Sequence, residues 1–325
     1  MLIGMPTTEN QTPSRWSAEL LELLRCPACR AALNEEGTGF VCSGCQRCFP
    51  VQSGVVRFAG AENYADSFGF QWQRYARTQL DDAQSQESEK DFHRKTGLTA
   101  ADVKGKLVLD VGCGMGRYAD VATRWGARVV GIDLSAAAEV AARNLSGREF
   151  VALQADAFAL PFATGSFDYI YSIGVLHHTP NCEQAVKNLP QYLKPGGVLA
   201  VWLYSAYNPW YRFSDIYRRF TSKMPAKTLH GILGVVVPVV NGVDSGLRVL
   251  PVIGRPLSGL VRYLVPVNRD PNRKWRVLDT FDWYSPTYQS KHTYEQVFRW
   301  FESCGMEDLH VGDVPIAVRG RKPSL

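Results

Sequence analysis

The sequence is notable first for what it does not contain. No stretch of the 325 residues offers roughly 18 uninterrupted apolar positions, so no segment is expected to span a membrane. The opening residues, MLIGMPTTENQTPSRW, lack the basic start and apolar run of a secretory signal. Residues 1–20 therefore read as a polar, flexible tail, and the expected location is cytoplasmic. Internal repeats and low-complexity tracts are missing. A formal charge of +5 names no partner by itself. Phosphate-binding loops are missing too. DVGCGMGRY (110–118) places glycines at 112, 114 and 116, but a dinucleotide fingerprint would want its third glycine where Arg117 stands. A Gly-Lys-Ser/Thr ending is absent. With 46% hydrophobic residues, the chain has enough apolar material for about two domains.

Cysteine is present but unevenly placed. Four of the eight form Cys26-x2-Cys29 and Cys42-x2-Cys45, with Cys48 three residues further on. Two such knuckles can bring four thiolates to one tetrahedral Zn2+, which holds together a segment too small to bury its own core. Disulfides are not expected without secretion. Cys48 is an alternative to Cys45 as ligand, and the x2 symmetry favours Cys45. The surrounding text, LLRCPACRAALNEEGTGFVCSGCQRCFPVQSGVVRF, resembles the zinc ribbons of activator subunits of tRNA and protein methyltransferases. Arg25, Arg30 and Arg47 are balanced in part by Glu22, Glu35 and Glu36, which favours a structural clip over an RNA-binding module.

Strand-like runs then alternate with helical patterns: KLVLDV (106–111), ARVVGID (127–133), EFVAL (149–153), FDYIYSI (167–173) and GVLAVWLY (197–204). This alternation predicts an α/β fold with a doubly wound, mostly parallel sheet. Tyr118, Val121, Ala122 and Trp125 recur at helical spacing before Gly126. Thr293 and Gln296 have the form of a capping box ahead of a helix, and MEDLHV and PIAVRG supply two last strands, making seven. Pro190, inside the helix before KPGG, should kink it.

In such sheets ligands bind beyond the carboxyl ends of the strands, where strand order reverses. Gly112, Gly114 and Gly116 stand there after the first strand, and their missing side chains let a ligand lie against the backbone. Asp133 ends the second strand, where a carboxylate can accept from both hydroxyls of a ribose. Asp156, after the third, can accept from an adenine amino group. The pocket suits an adenosine.

LDVGCGMGRY, GIDLS, QADAFALPFATGSFDYIYSIGVLHHTP and LPQYLKPGGVLAVWLY together resemble the successive motifs of class I S-adenosylmethionine-dependent methyltransferases, in the branch acting on small molecules such as quinones and sterols. The resemblance covers residues 106–204 and implies a seven-stranded Rossmann-like core. It places Asp110 and the three glycines around the methionine end of S-adenosylmethionine, Asp133 with Leu134 at the ribose, and Asp156 with Ala157 at the adenine. His178, with His177 beside it, follows the fourth strand where the methyl acceptor should come. It is the candidate general base, and fixing the loop by hydrogen bonds is the alternative. The acceptor pocket is expected to draw Trp72 from the aromatic segment YADSFGFQWQRY (64–75), a lid or ordinary packing. Tyr284, Tyr288 and His292 should join it from DTFDWYSPTYQSKHT (279–293).

The expected organisation is a tail (1–20), zinc ribbon (21–59), helical cap (60–105), core (106–204 and 287–325) and a basic, apolar helical insert (205–286). Within the insert, residues 205–278 carry twelve Arg and Lys against three Asp, a balance of +9 that leaves −4 for the rest. Apolar pieces broken by Pro and Gly run between the charges. They read as too short to cross a bilayer, suited either to a membrane surface or to a lid that packs a homodimer. The expected function is methyl transfer from S-adenosylmethionine to oxygen or carbon of a small or lipid-linked metabolite. An RNA methyltransferase is the runner-up, and a non-catalytic cofactor-binding scaffold the reading from another class.

Overall fold

The computed structural model describes residues 18–60, 63–82, 85–207 and 211–324. Most of the expected tail, residues 1–17, lies outside them; Ala18 already begins a helix, α1 (Ala18–Leu23). Four short strands follow: β1 (Leu33–Glu36), β2 (Gly39–Cys42), β3 (Cys48–Gln52) and β4 (Val55–Arg57). The cap holds α2 (Asp66–Arg74), α3 (Glu87–Thr96) and α4 (Ala100–Val103). Strands and helices then alternate as β5 (Leu107–Val111), α5 (Arg117–Arg124), β6 (Arg128–Asp133), α6 (Ala137–Asn144) and β7 (Phe150–Gln154). β8 (Phe167–Ile173), α7 (Cys182–Asn188) and β9 (Leu193–Trp202) complete the alternation. The insert supplies α8 (Tyr211–Thr221), α9 (Ala226–Arg248), α10 (Gly254–Leu264) and α11 (Arg273–Tyr284), and the chain closes with α12 (Tyr294–Ser303), β10 (Glu307–Val311) and β11 (Ala317–Arg321).

The sheet order is β1-β2-β3-β4-β7-β6-β5-β8-β9-β11-β10. From β7 to β9 the neighbours run parallel, while β11 is antiparallel to both β9 and β10. The seven-stranded core is therefore present, but the whole sheet has eleven strands. The ribbon extends it, because β4 pairs parallel with β7 through Val56↔Leu153 and Arg57↔Gln154. Its apolar residues Leu24, Phe40 and Phe49 are buried in one cluster with Leu153, Phe162 and Phe167 of the core. The ribbon is thus part of the main core rather than a separate clip.

Two local expectations change. Pro190 does not kink a helix: α7 stops at Asn188, and Pro190 opens a 3-10 turn to Tyr192 that feeds β9. A proline in the first position of a turn loses no hydrogen bond, so ending α7 is cheaper than bending it. In the insert, α9 runs unbroken for 23 residues through Pro238 and is the one helix among the described residues long and apolar enough to cross a membrane. The sequence shows broken pieces there because Pro and Gly punctuate it. Leu229, Leu233 and Val237 hold the helix together by packing with Val277, Leu278 and Phe281 of α11. The Thr293–Gln296 capping box forms as expected.

The ribbon is tied to the core by Arg30, whose guanidinium donates to the carbonyls of Leu160, at 2.7 Å, and Phe162. Arg30→Ala should lower stability by about 1–2 kcal/mol, less than two buried charged hydrogen bonds because the side chain is exposed. Thermal unfolding measures this; an unchanged melting temperature would contradict the tie.

Candidate active site

Strand order leaves β5 in opposite directions toward β6 and β8, and above that point lies a cavity of about 650 Å³. All five parallel strands reach it at their carboxyl ends. Gly112 and Gly114 follow β5, Asp133 and Leu134 close β6, and Ala157 follows β7. His178 comes after β8, and Trp202 and Tyr204 from the end of β9. The glycines are required. Gly112 has φ +83°, and a Cβ there would lie 2.3 Å from Val175 Cγ1. Gly114 has φ +53°, with the Trp72 indole Nε1 3.0 Å from where its Cβ would be. Trp72 and Phe68 line the cavity from α2, and Trp72 packs over the glycine turn at Gly114.

Asp133 is held in place by its neighbours. Its Oδ2 accepts from Gly114 N at 3.0 Å, and its Oδ1 from Ser135 N at 2.9 Å and Ser135 Oγ at 2.7 Å. A carboxylate has about four acceptor positions, so Oδ2 retains one for a ligand. Burial pushes the Asp133 carboxyl upward, opposed by those bonds.

Other expected residues stand behind the wall. Asp110 is fully buried and accepts from Tyr171 OH at 3.0 Å, tying β5 to β8; burial pushes it up to about 8. Gly116 is the N-cap of α5, close under Leu145. Asp156 does not line the cavity, and its Oδ1 accepts from Phe158 N at 3.0 Å in a tight turn. It is near enough to Tyr64, a lining residue, to help burial raise that phenol's pKa.

Beyond β8, His178 is buried, with Nδ1 3.0 Å from the Tyr288 carbonyl. A carbonyl can only accept, so Nδ1 carries the proton and Nε2 keeps its lone pair. Nε2 has no hydrogen-bond partner among the described residues, and neither has the buried Gln71 Oε1 on α2, another lining residue. Burial holds the His178 pKa below the usual imidazole value, against a smaller upward pull from Asp282. His177 does not line the cavity; it stacks on Tyr204 at 3.9 Å. Tyr284, Tyr288 and His292 also lie outside the lining. Tyr284 OH donates to Pro266 O within the insert, Tyr288 meets Tyr64 edge-on at 5.5 Å, and His292 bonds Ser290 Oγ at 2.8 Å.

A charged wall had no counterpart in the sequence reading. Lys95 of α3 lies 2.7 Å from Asp91 Oδ2 and 3.8 Å from the Trp202 ring centroid, with burial lowering its pKa to about 8. On α11, Asp279 is pushed up to about 7, first by burial and then by Asp282, while Asp282 accepts from Tyr204 OH at 2.8 Å. The available signal was two acids three residues apart in the otherwise apolar run VLDTFDW.

Away from the cavity, the thiols of Cys26, Cys29, Cys42 and Cys45 lie within 4.8 Å of one another. Cys29 and Cys42 are 3.3 Å apart, Cys26 and Cys45 3.7 Å. Hydrogen bonding from the Cys45 N–H holds the Cys42 thiol down to about 6. Cys48 is exposed and turned toward Gln46 O instead.

Residues 109–201 match the methyltransferase domain family, and residues 17–54 the Trm112p-like protein family. An O-methyltransferase of Penicillium expansum is 37% identical over 114 residues, covering 33% of this chain and 41% of its own length. A ubiquinone biosynthesis O-methyltransferase of Nitrosococcus oceani is 38% identical over 101 residues, covering 30% and 43%. The chain thus spans less than half the length of these curated relatives. Among solved structures, an S-adenosylmethionine-dependent methyltransferase of Mesorhizobium loti aligns with a TM-score of 0.43 at 17% identity, covering 73% of this chain and 99% of that one. Residues 109–201 are a methyltransferase domain, and a Trm112p-like ribbon precedes it and joins its sheet.

Proposed function

We propose that the protein transfers a methyl group from S-adenosylmethionine to a hydroxyl of a small or lipid-linked metabolite. The observation that carries this reading is the buried Nε2 of His178, a lone pair without a partner, in a cavity whose other wall is a bare glycine turn beside Asp133. The O-methyltransferase names of the relatives support it.

The residues present fit the cofactor, since a Cβ at Gly112 or Gly114 would crowd the wall against which it would lie. Asp133 would hold the ribose, Leu134 and Ala157 would border the adenosine, and Asp156 would reach the adenine edge beside Tyr64. Asp110 and Gly116 act from behind, fixing the turn. When bound, S-adenosylmethionine supplies an activated methyl on a positively charged sulfur. His178 Nε2 takes the proton of the acceptor hydroxyl, and the Tyr288 carbonyl fixes the tautomer that leaves Nε2 free. Trp72 and Phe68 exclude water. Tyr284 and His292 support the acceptor wall through packing. Asp279 and Asp282 give that wall acceptors for further polar groups of the substrate.

The four thiols suit a structural Zn2+. Zn–S bonds of about 2.3 Å in a tetrahedron put sulfurs about 3.8 Å apart, close to the spacing observed. A cytoplasmic location would keep these thiols reduced. The apolar outer faces of the insert fit an RNA groove poorly, because such a groove pairs cations with stacking aromatics.

Purified protein should contain one zinc per chain. Serine at Cys26, Cys29, Cys42 or Cys45 should remove it and Cys48→Ser should not; metal analysis that finds no zinc, or equal loss at Cys48, would refute the assignment. By calorimetry, Asp133→Ala should weaken S-adenosylmethionine binding by about 1.5–3 kcal/mol, and Gly114→Val should abolish it. Unchanged binding in both would move the cofactor elsewhere.

To find the acceptor, labelled S-adenosylmethionine and protein are added to cell extract, and the lipid, small-molecule, RNA and protein fractions are counted. Label in RNA or protein, or in no fraction, would contradict the proposal. With the acceptor in hand, His178→Gln should lower kcat by about 10²–10⁴ while leaving cofactor affinity intact. Burial depresses the His178 pKa, so the active neutral form persists as pH falls through about 6.5, the ordinary imidazole value. The acid limb of kcat/KM should lie below that pH, and a limb above it would exclude His178 as the base.

A further inference from the structure

Fourteen of the seventeen exposed large hydrophobic side chains among the described residues fall between Ile216 and Leu264, on α8, α9, α10 and their connections. On α9 the outward positions Ile232, Val235, Val239 and Val243 follow helical spacing and form an exposed apolar stripe beside the face packed on α11. At the turn between α9 and α10, Val249 is 81% exposed and Val252 93%. Val252 has φ +63°, a left-handed conformation that a β-branched residue adopts only with strain. Nothing packs on that side chain to offset the cost in the folded chain.

The charge on this surface has one sign. Between residues 213 and 264 every exposed charged side chain is basic: Arg219, Lys223, Lys227, Arg248 and Arg255. The two acids in the span are engaged. Asp215 pairs with Arg218 and Lys291, and the buried Asp244 accepts from Ser258 Oγ and pairs with Arg248 and Arg269, clasping α9 to α10 and the segment beyond.

From this surface we infer that the helical insert docks on an anionic lipid bilayer, its apolar tip at Val249, Leu250, Val252 and Ile253 entering the acyl boundary and its basic side chains meeting the headgroups. Exposed apolar side chains interleaved with basic ones are the composition of helices that lie in a membrane interface. The buried face of α9, packed on α11, keeps that helix on the surface rather than across the bilayer. A second copy of the chain is a poorer occupant. A two-fold interface would set this basic surface against itself. The inference is independent of the chemistry of the cavity.

The test is sedimentation of the full chain with phosphatidylcholine vesicles, with and without one-third phosphatidylglycerol, at low salt. Wild type should pellet with the anionic vesicles only, and added salt should release it. Val249→Asn combined with Val252→Asn should weaken binding about tenfold or more. Because Asn tolerates the left-handed backbone, the melting temperature of that variant should not fall. Arg219→Glu, Lys223→Glu and Lys227→Glu together should weaken binding about a hundredfold. Wild type left in the supernatant would overturn the inference, as would both variants binding like wild type. A concentration-dependent dimer that the tip variant dissociates, without vesicle binding, would assign the surface to a second copy and overturn it too. Vesicle binding by a protein with no affinity for S-adenosylmethionine would refute the proposed function and leave this inference standing.

Discussion

Side chains are excluded where β5 ends, and the rest of the site depends on that exclusion. Val175 from the β8 loop and Trp72 from α2 both approach the backbone at Gly112 and Gly114 closely enough that any Cβ would force them away. Three segments distant in sequence therefore meet at one turn. Asp133 then accepts from Gly114 N and fixes the turn against β6. The cavity is a consequence of parallel strands diverging at β5, and the glycines let a ligand use it.

The ribbon and the insert extend this core in different ways. The ribbon adds strands to the edge at β7 and shares the apolar core. The insert adds a wall. Its helix α11 brings Asp279 and Asp282 to the cavity on one side while Val277, Leu278 and Phe281 hold α9 on another. The helix that faces outward with apolar side chains thus packs directly on the helix that lines the cavity.

Features set by local chemistry were legible in the sequence. The C-x2-C pairs converge as their spacing requires, the Thr293 capping box forms, and the alternating runs become parallel strands. Tertiary packing decided the rest. Pro238 interrupts the pattern of α9 but not the helix, because Leu229, Leu233 and Val237 in the turns before it pack on α11. Asp110 belongs to the motif, yet its side chain accepts from Tyr171 on the adjacent strand β8 and does not line the cavity. The acids of α11 reach the cavity from more than seventy residues beyond residue 204, where the methyltransferase-like motifs end, and no local pattern reports such a meeting. The partnership of His178 with the Tyr288 carbonyl is of the same kind.

In the proposed function the cavity lined by both the glycine turn and Asp133 takes the cofactor, with its reactive end toward His178. A crystal structure of the protein with S-adenosylhomocysteine tests this most directly. The ribose hydroxyls should lie within hydrogen-bonding distance of the Asp133 carboxylate, and the sulfur should face the side of the cavity that holds His178 Nε2. A ligand bound elsewhere, or with its sulfur turned away from His178, would contradict it.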